Sequence, residues 1–305
     1  MFNDNSQGMN YKLSRIILLA SILFFSACKH STHKINNQGA MFNFLYNLQS
    51  PDTVYELPPI LMEISALSMF SDTEVICLQD EDAVVFVYDL VQNVVTNRVI
   101  FGKAADFEGI EKVEETIYVL QSNGTIHEII NFGRANQAVI IHENFLSEEN
   151  NAEGLGYDAE TNSLLIACKG KAAKGKKWED KKAVYRFDLE TKRLDKKPYF
   201  LFEKKALFTF IEQNDIKNLS FKLKKEMPFN PSGIAVKDGY YYTIASIGEM
   251  LIATDKAGNI RHAEKIKNGI LPKPEGITFD SKNRLIIASE GEEGNGRIAI
   301  YNAVE

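Results

Sequence analysis

Three glutamates of this sequence occupy the same position in a repeated element. Glu108, Glu153 and Glu275 each precede a glycine and an apolar residue, and serines stand at this position in two further copies, Ser65 and Ser232. Where repeats pack around a common axis, equivalent side chains converge, and converging carboxylates repel one another unless protons or a cation relieve the charge. Calcium suits such a group because it accepts several oxygen ligands in flexible geometry. The three glutamates are therefore predicted calcium ligands; alternatively, each caps a turn by accepting backbone N–H bonds.

The elements that must hold these glutamates are short strands. After each copy of the element come a turn signal and an apolar, β-rich run, at residues 75–78, 117–120, 164–167, 241–244 and 285–288. A third apolar run follows in the same order, as at residues 84–88, 184–187 and 297–301. Repeats of about 40 to 45 residues with about four strands each are typical of β-propellers. The sequence therefore predicts an all-β, five-bladed β-propeller.

The gap between the third and fourth copies of the element is longer than the others. Two insertions explain it: a lysine-rich stretch at residues 170–182, and residues 203–229, in which the segment 204–212 has the apolar spacing of a short helix. Because the last blade ends early, residues 53–57 are predicted to supply its outer strand and so to remove an exposed sheet edge. The propeller domain is expected to cover residues 51–305.

Residues 1–27 have the layout of a bacterial export signal. Two basic residues precede an apolar run at residues 16–25 that is too short to span a bilayer. The following Ser-Ala-Cys sequence resembles a lipoprotein cleavage motif, which makes Cys28 the predicted lipidation site. Residues 28–50 are then expected to form a tether. The alternative is an ordinary signal peptide with an incidental cysteine.

The repeated elements, together with the acidic residue Glu290 at the end of the apolar run in the last repeat, resemble the SdiA-regulated family of bacterial propellers. The segments that carry the resemblance are Asp106-Phe-Glu-Gly-Ile-Glu111, Ala152-Glu-Gly-Leu-Gly-Tyr157, Pro231-Ser-Gly-Ile-Ala235, Pro274-Glu-Gly-Ile-Thr-Phe279 and Ile287-Ala-Ser-Glu290. The resemblance implies a five-bladed propeller, distantly similar to NHL-repeat proteins, with a bound calcium ion. Glu111 and Glu290 are second-rank candidate ligands. Gln121 and Ile247 stand where the family tends to carry acids, so no ligand is expected from these two positions.

The composition is that of a folded protein with a mild acidic balance. The chain has 41 acidic and 35 basic residues, and its formal net charge is −6. Because nucleic acids require clustered Lys and Arg, we expect no nucleic-acid partner, and membrane contact through the lipid anchor only. The sequence has no G-x-S-x-G or H-E-x-x-H motif.

These observations predict a monomeric binding module of the cell envelope, on the outer membrane or the periplasmic face. Its expected ligand is a protein, a glycan or a small molecule. The alternative is a calcium-dependent hydrolase of esters, lactones or phosphoesters, in which the same ion would polarise the substrate. A base beside the ion would favour the hydrolase, and the sequence offers no convincing one.

Overall fold

The structure is a computed structural model that describes residues 42–216, 219, 229–267, 269–292 and 294–304. The predicted export signal, the predicted lipidation site Cys28 and most of the predicted tether lie outside these residues. In the part of the chain that the structure describes, no helix is long and apolar enough to cross a membrane.

The described residues form five antiparallel sheets, which are the blades of a propeller. The first strand of the described residues is β1 (Thr53–Glu56), and blade 1 follows with β2 (Ile64–Met69), β3 (Glu74–Gln79), β4 (Val84–Asp89) and β5 (Val94–Ile100). Blade 2 contains β6 (Phe107–Val113), β7 (Thr116–Gln121), β8 (Ile126–Ile130) and β9 (Ala138–His142). Blade 3 contains β10 (Ala152–Asp158), β11 (Ser163–Cys168), β12 (Lys181–Asp188), β13 (Arg193–Leu194) and β14 (Phe200–Glu203). Blade 4 contains β15 (Asn230–Lys237), β16 (Tyr240–Ile247), β17 (Met250–Thr254) and β18 (Ile260–Lys265), and blade 5 contains β19 (Lys273–Phe279), β20 (Leu285–Glu290) and β21 (Arg297–Tyr301). The predicted five-bladed propeller is confirmed.

Strand β1 closes the ring by pairing with the last strand, β21. The pairing is antiparallel and places Thr53 opposite Ile300 and Glu56 opposite Arg297. Blade 5 therefore combines both ends of the propeller in the order β1-β21-β20-β19. The predicted closure by the segment at residues 53–57 is confirmed.

The second strand of each blade is buried on both faces. In β11 every residue is buried, and in β3 and β7 only the terminal residues are partly exposed. The cause is that each blade packs between two others, so the hydrophobic core is divided into layers between adjacent blades. A strand that is covered on both faces consists of consecutive apolar residues, which is why these segments are the clearest feature of the sequence pattern.

Both predicted insertions lie in or beside blade 3. Helix α1 (Lys204–Gln213) directly follows β14 and buries Leu207 and Ile211 against blades 3 and 4, which confirms the predicted helix. The lysine-rich insertion joins β11 to β12 and is fixed at several points. Ala172 is fully buried, and its carbonyl accepts a hydrogen bond from the Tyr185 hydroxyl at 3.0 Å. The N–H groups of Gly170 and Lys171 donate to the Asn150 and Glu149 carbonyls, each at 2.8 Å. This loop is therefore only partly solvated.

Residues 42–50, predicted as part of the tether, pack against blades 4 and 5. Tyr46 and Leu48 are buried in the layer between these blades, and the Phe44 ring stacks on His262 with 4.0 Å between ring centroids. The Tyr46 hydroxyl also donates a hydrogen bond to the Asn283 carbonyl at 3.0 Å. The compact unit accordingly begins at Phe42. The reason is that the aromatic side chains of this segment bury apolar surface against the blades, which a polar tether would not do.

Candidate functional site at the propeller axis

The five repeated positions all lie at the same bulge. In each blade the pairing of the first and second strands skips one residue of the first strand, and the skipped residues are Ser65, Glu108, Glu153, Ser232 and Glu275. A bulge takes one residue out of the ladder and redirects its side chain. The first strands of neighbouring blades contact one another around the ring, so they line the axis. The repeat in the sequence thus reflects one local geometry that is used five times.

Two serines use this position to join neighbouring blades. The Ser65 hydroxyl donates a hydrogen bond to the Phe107 carbonyl at 2.9 Å, and the Ser232 hydroxyl donates one to the Pro274 carbonyl at 2.7 Å. Both serines are buried. A short hydroxyl side chain therefore satisfies the packing and hydrogen-bonding needs of the bulge.

Glu153 is bonded by side chains on both carboxylate oxygens. Its side chain is only 2% exposed, and the Lys169 ammonium lies 3.0 Å from each oxygen. The Asn151 amide also donates to Oε1 at 2.7 Å. Asn151 has a φ of 44°, in the left-handed region that asparagine adopts more readily than most residues. This backbone conformation presents the amide to the carboxylate two residues later.

Glu275 belongs to a second group of charged side chains. Lys273 opens β19, and its ammonium lies 3.5 Å from Oε1 of Glu275 and also pairs with Glu290. Glu290 ends β20 directly opposite Lys273 in the sheet register. Glu290 is thus held at the edge of the site through Lys273.

The negative charges of the three glutamates affect the protonation of one another. Burial raises the pKa of Glu275 to about 8, and the charge of Glu153 is the next cause although it lies two blades away. Burial also raises the pKa of Glu108, followed by the negative charges of Glu153, Asp106 and Glu275. The bulges that carry these glutamates lie on the first strands, which line the axis, so we assign this interaction to the centre of the ring. Glu108, Glu153, Glu275, Lys169 and Lys273 are called the axial cluster below.

Lys169 opposes the repulsion among these carboxylates. Burial raises the pKa of Glu153, and the positive charge of Lys169 lowers it again in part. Burial would lower the pKa of Lys169, yet the charges of Glu153, Glu275 and Glu108 outweigh burial and raise it. Lys169 therefore stays charged and supplies the cluster with an internal cation.

The alternative of glutamates that cap turns finds no support in the described residues. No backbone N–H in that part of the chain donates to the carboxylates of Glu108, Glu153 or Glu275; the donors to Glu153 are side chains. Of the five predicted ligands, Glu111 is the only one that accepts a backbone N–H within the described ranges: it accepts the N–H of Lys112 at 3.1 Å and also the Ser68 hydroxyl at 2.7 Å. Burial raises the pKa of Glu111 to about 7, and it does not join the axial cluster.

The axial cluster does not offer a ready ligand set for calcium. Across the described ranges, no three or more His, Cys, Asp or Glu side chains are grouped so that they could hold a metal ion. In addition, Glu153 and Glu275 already lie beside lysines, whose positive charges oppose the binding of a cation. As arranged, these residues do not fit the predicted ion.

Sequence reasoning did not identify the two lysines. Lys169 directly follows β11, whose last residue Cys168 pairs with Ala152, next to Glu153. Lys273 precedes Glu275 by two residues. Lys169 could have been found by looking at the residues that lie opposite the bulge. In these antiparallel blades the end of the second strand always lies beside the start of the first strand.

Solved structures of other proteins share this fold at low sequence identity. Glutaminyl cyclase from Myxococcus xanthus matches with a TM-score of 0.54 at 10% identity, over 84% of this chain and 97% of that one. Virginiamycin B lyase from Staphylococcus aureus matches with a TM-score of 0.44 at 16% identity, over 81% of this chain and 72% of that one. No protein-family model and no curated protein matches the sequence. At these identities the likeness concerns the fold alone.

Proposed function

We propose that this protein is a binding module of the cell envelope and that the axial cluster is its binding centre. The supporting observation is the contrast between serine and glutamate at the five bulges. Ser65 and Ser232 bond to a neighbouring blade, whereas Glu153 and Glu275 are buried and Glu108 is partly buried, at a cost in desolvation and mutual repulsion. Because the bulge does not require a carboxylate, the glutamates serve a purpose other than folding.

The chemistry of the cluster favours a ligand that carries charges of both signs. Lys273 and Glu108 are partly exposed, whereas Glu153 and Glu275 are buried. An ammonium group of a ligand would meet carboxyl groups here and would favour their charged form, and a carboxylate of the same ligand would meet lysines. We therefore propose amino acids and short peptides as the ligand class.

Replacing Glu108 with serine tests whether the glutamates are dispensable for folding. The free energy of unfolding of Glu108→Ser should stay within about 0.5 kcal/mol of wild type or increase, because a partly buried carboxyl that the neighbouring acids repel is removed. Ser232→Ala is the matched control at the equivalent bulge, and it should lose about 1 kcal/mol with its inter-blade hydrogen bond. Urea denaturation of the three proteins at neutral pH measures both. A larger loss in Glu108→Ser than in Ser232→Ala would show that the carboxylate serves the fold.

Two further features support parts of this proposal. The five repeated elements support the view that the chain is a divergent member of the SdiA-regulated family, and the Ser-Ala-Cys sequence supports lipid anchoring at Cys28. The alternative of a calcium-dependent hydrolase depends on an ion that the cluster does not fit as arranged. A binding module does not depend on that ion, so the geometry favours it.

A further inference from the structure

We infer that Lys169 supplies from within the chain the positive charge that a calcium ion would supply at the axis. Its ammonium lies 3.0 Å from both oxygens of Glu153, which are the atoms a metal ion would need. The inference concerns the same cluster as the proposed binding centre, but it does not depend on which ligand binds there.

The position of Lys169 is fixed by its backbone. Its N–H donates to the Asn151 carbonyl at 2.8 Å, and its carbonyl accepts a bond from the Lys182 ammonium. Asn151 also bonds Glu153, so the lysine and its partner carboxylate are held by one residue. The side chain of Lys169 is 22% exposed, which leaves its charge poorly screened by solvent.

An internal cation differs from a bound one in a way that can be measured. A dissociable ion stabilises the folded protein by mass action, so its removal lowers the melting temperature. A lysine is always present at its site. The wild-type protein should therefore be indifferent to chelation, and a protein that lacks the lysine charge should become sensitive to added cations.

The test compares wild type, Lys169→Met and Lys169→Arg by thermal unfolding in excess EDTA and in millimolar calcium chloride. Wild type and Lys169→Arg should melt at the same temperature in both solutions. Lys169→Met leaves buried carboxylates unpaired, so its melting temperature should fall by about 6 °C or more in EDTA. Calcium should restore at least half of that loss in Lys169→Met, because Glu153, Glu108 and Glu275 then lack their cation.

Each other outcome overturns the inference. Wild type that is destabilised by EDTA would show that a metal ion, not Lys169, neutralises the axis. A Lys169→Met protein as stable as wild type, or one that calcium does not restore, would show that the lysine does not replace an ion. If Lys169→Met does not fold, the double variant Lys169→Met/Glu153→Gln removes both charges and should fold again; failure of that variant also overturns the inference. The proposed binding function is tested separately, by ligand titration.

Discussion

Replacing Gly276 with valine should destabilise the propeller by about 3 kcal/mol or more, a large part of the stability of a typical domain. Gly276 follows the Glu275 bulge on the first strand of blade 5. A Cβ atom there would lie 2.4 Å from Leu67 Cδ2 and 2.8 Å from the Leu67 backbone nitrogen. Leu67 belongs to β2 of blade 1, so the added side chain would push two blades apart at the place where the ring closes.

The matched control for this prediction is Gly269→Val. A Cβ atom added at Gly269 would have no heavy atom within 4 Å, and the φ of this glycine lies outside the left-handed region, so the substitution should cost little. Urea denaturation of both variants measures the difference. Equal stability of the two variants would contradict the close packing of first strands around the axis.

The Cys28→Ser variant should lose its membrane attachment completely. If Cys28 carries acyl chains, the wild-type protein should sediment with membranes, because two or more chains give stable attachment where a single chain is marginal. The described residues contain no helix that could replace this anchor. Fractionation of cells that express each protein, followed by detection in the soluble and membrane fractions, measures the effect.

A fatty-acid label and a neighbouring substitution make the result specific. His30→Ser changes the same stretch without the thiol and should leave the protein in the membrane fraction and labelled. A wild-type protein that is cleaved and exported without any label would make Cys28 incidental, and the protein would then be periplasmic or secreted without an anchor.

Much of the fold was predictable because it depends on local signals that repeat. The runs at residues 117–120 and 164–167 are apolar on both faces, since each second strand lies inside a blade that is covered on both sides. The helix at Lys204–Gln213 followed from the extra length of one repeat, and the pairing of β1 with β21 followed from the missing outer strand of the last repeat. Repeats fix the blade count because each copy must make the same contacts with its neighbours.

The charge balance of the candidate site was less predictable, because it depends on contacts across the ring. The sequence places Glu108, Glu153 and Glu275 at equivalent positions, but Lys169 stands in no repeated position and meets Glu153 through strand pairing. The start of the folded unit was missed for a related reason. Phe42, Phe44 and Tyr46 alternate at the period of a strand, but residues 42–50 form no strand, so their packing on blades 4 and 5 is what shows their role.

The central claim is that the axial glutamates bind a ligand with both charges, and calorimetric titration of wild type and Glu108→Ser with glycine and diglycine tests it most directly. Acetate and methylamine, which each carry one of the two charges, are the matched control ligands. We predict saturable binding of glycine or diglycine by wild type, at least about tenfold weaker binding by Glu108→Ser, and weaker binding of both control ligands. Wild type that binds neither glycine nor diglycine, or that binds them no better than Glu108→Ser does, would contradict the claim.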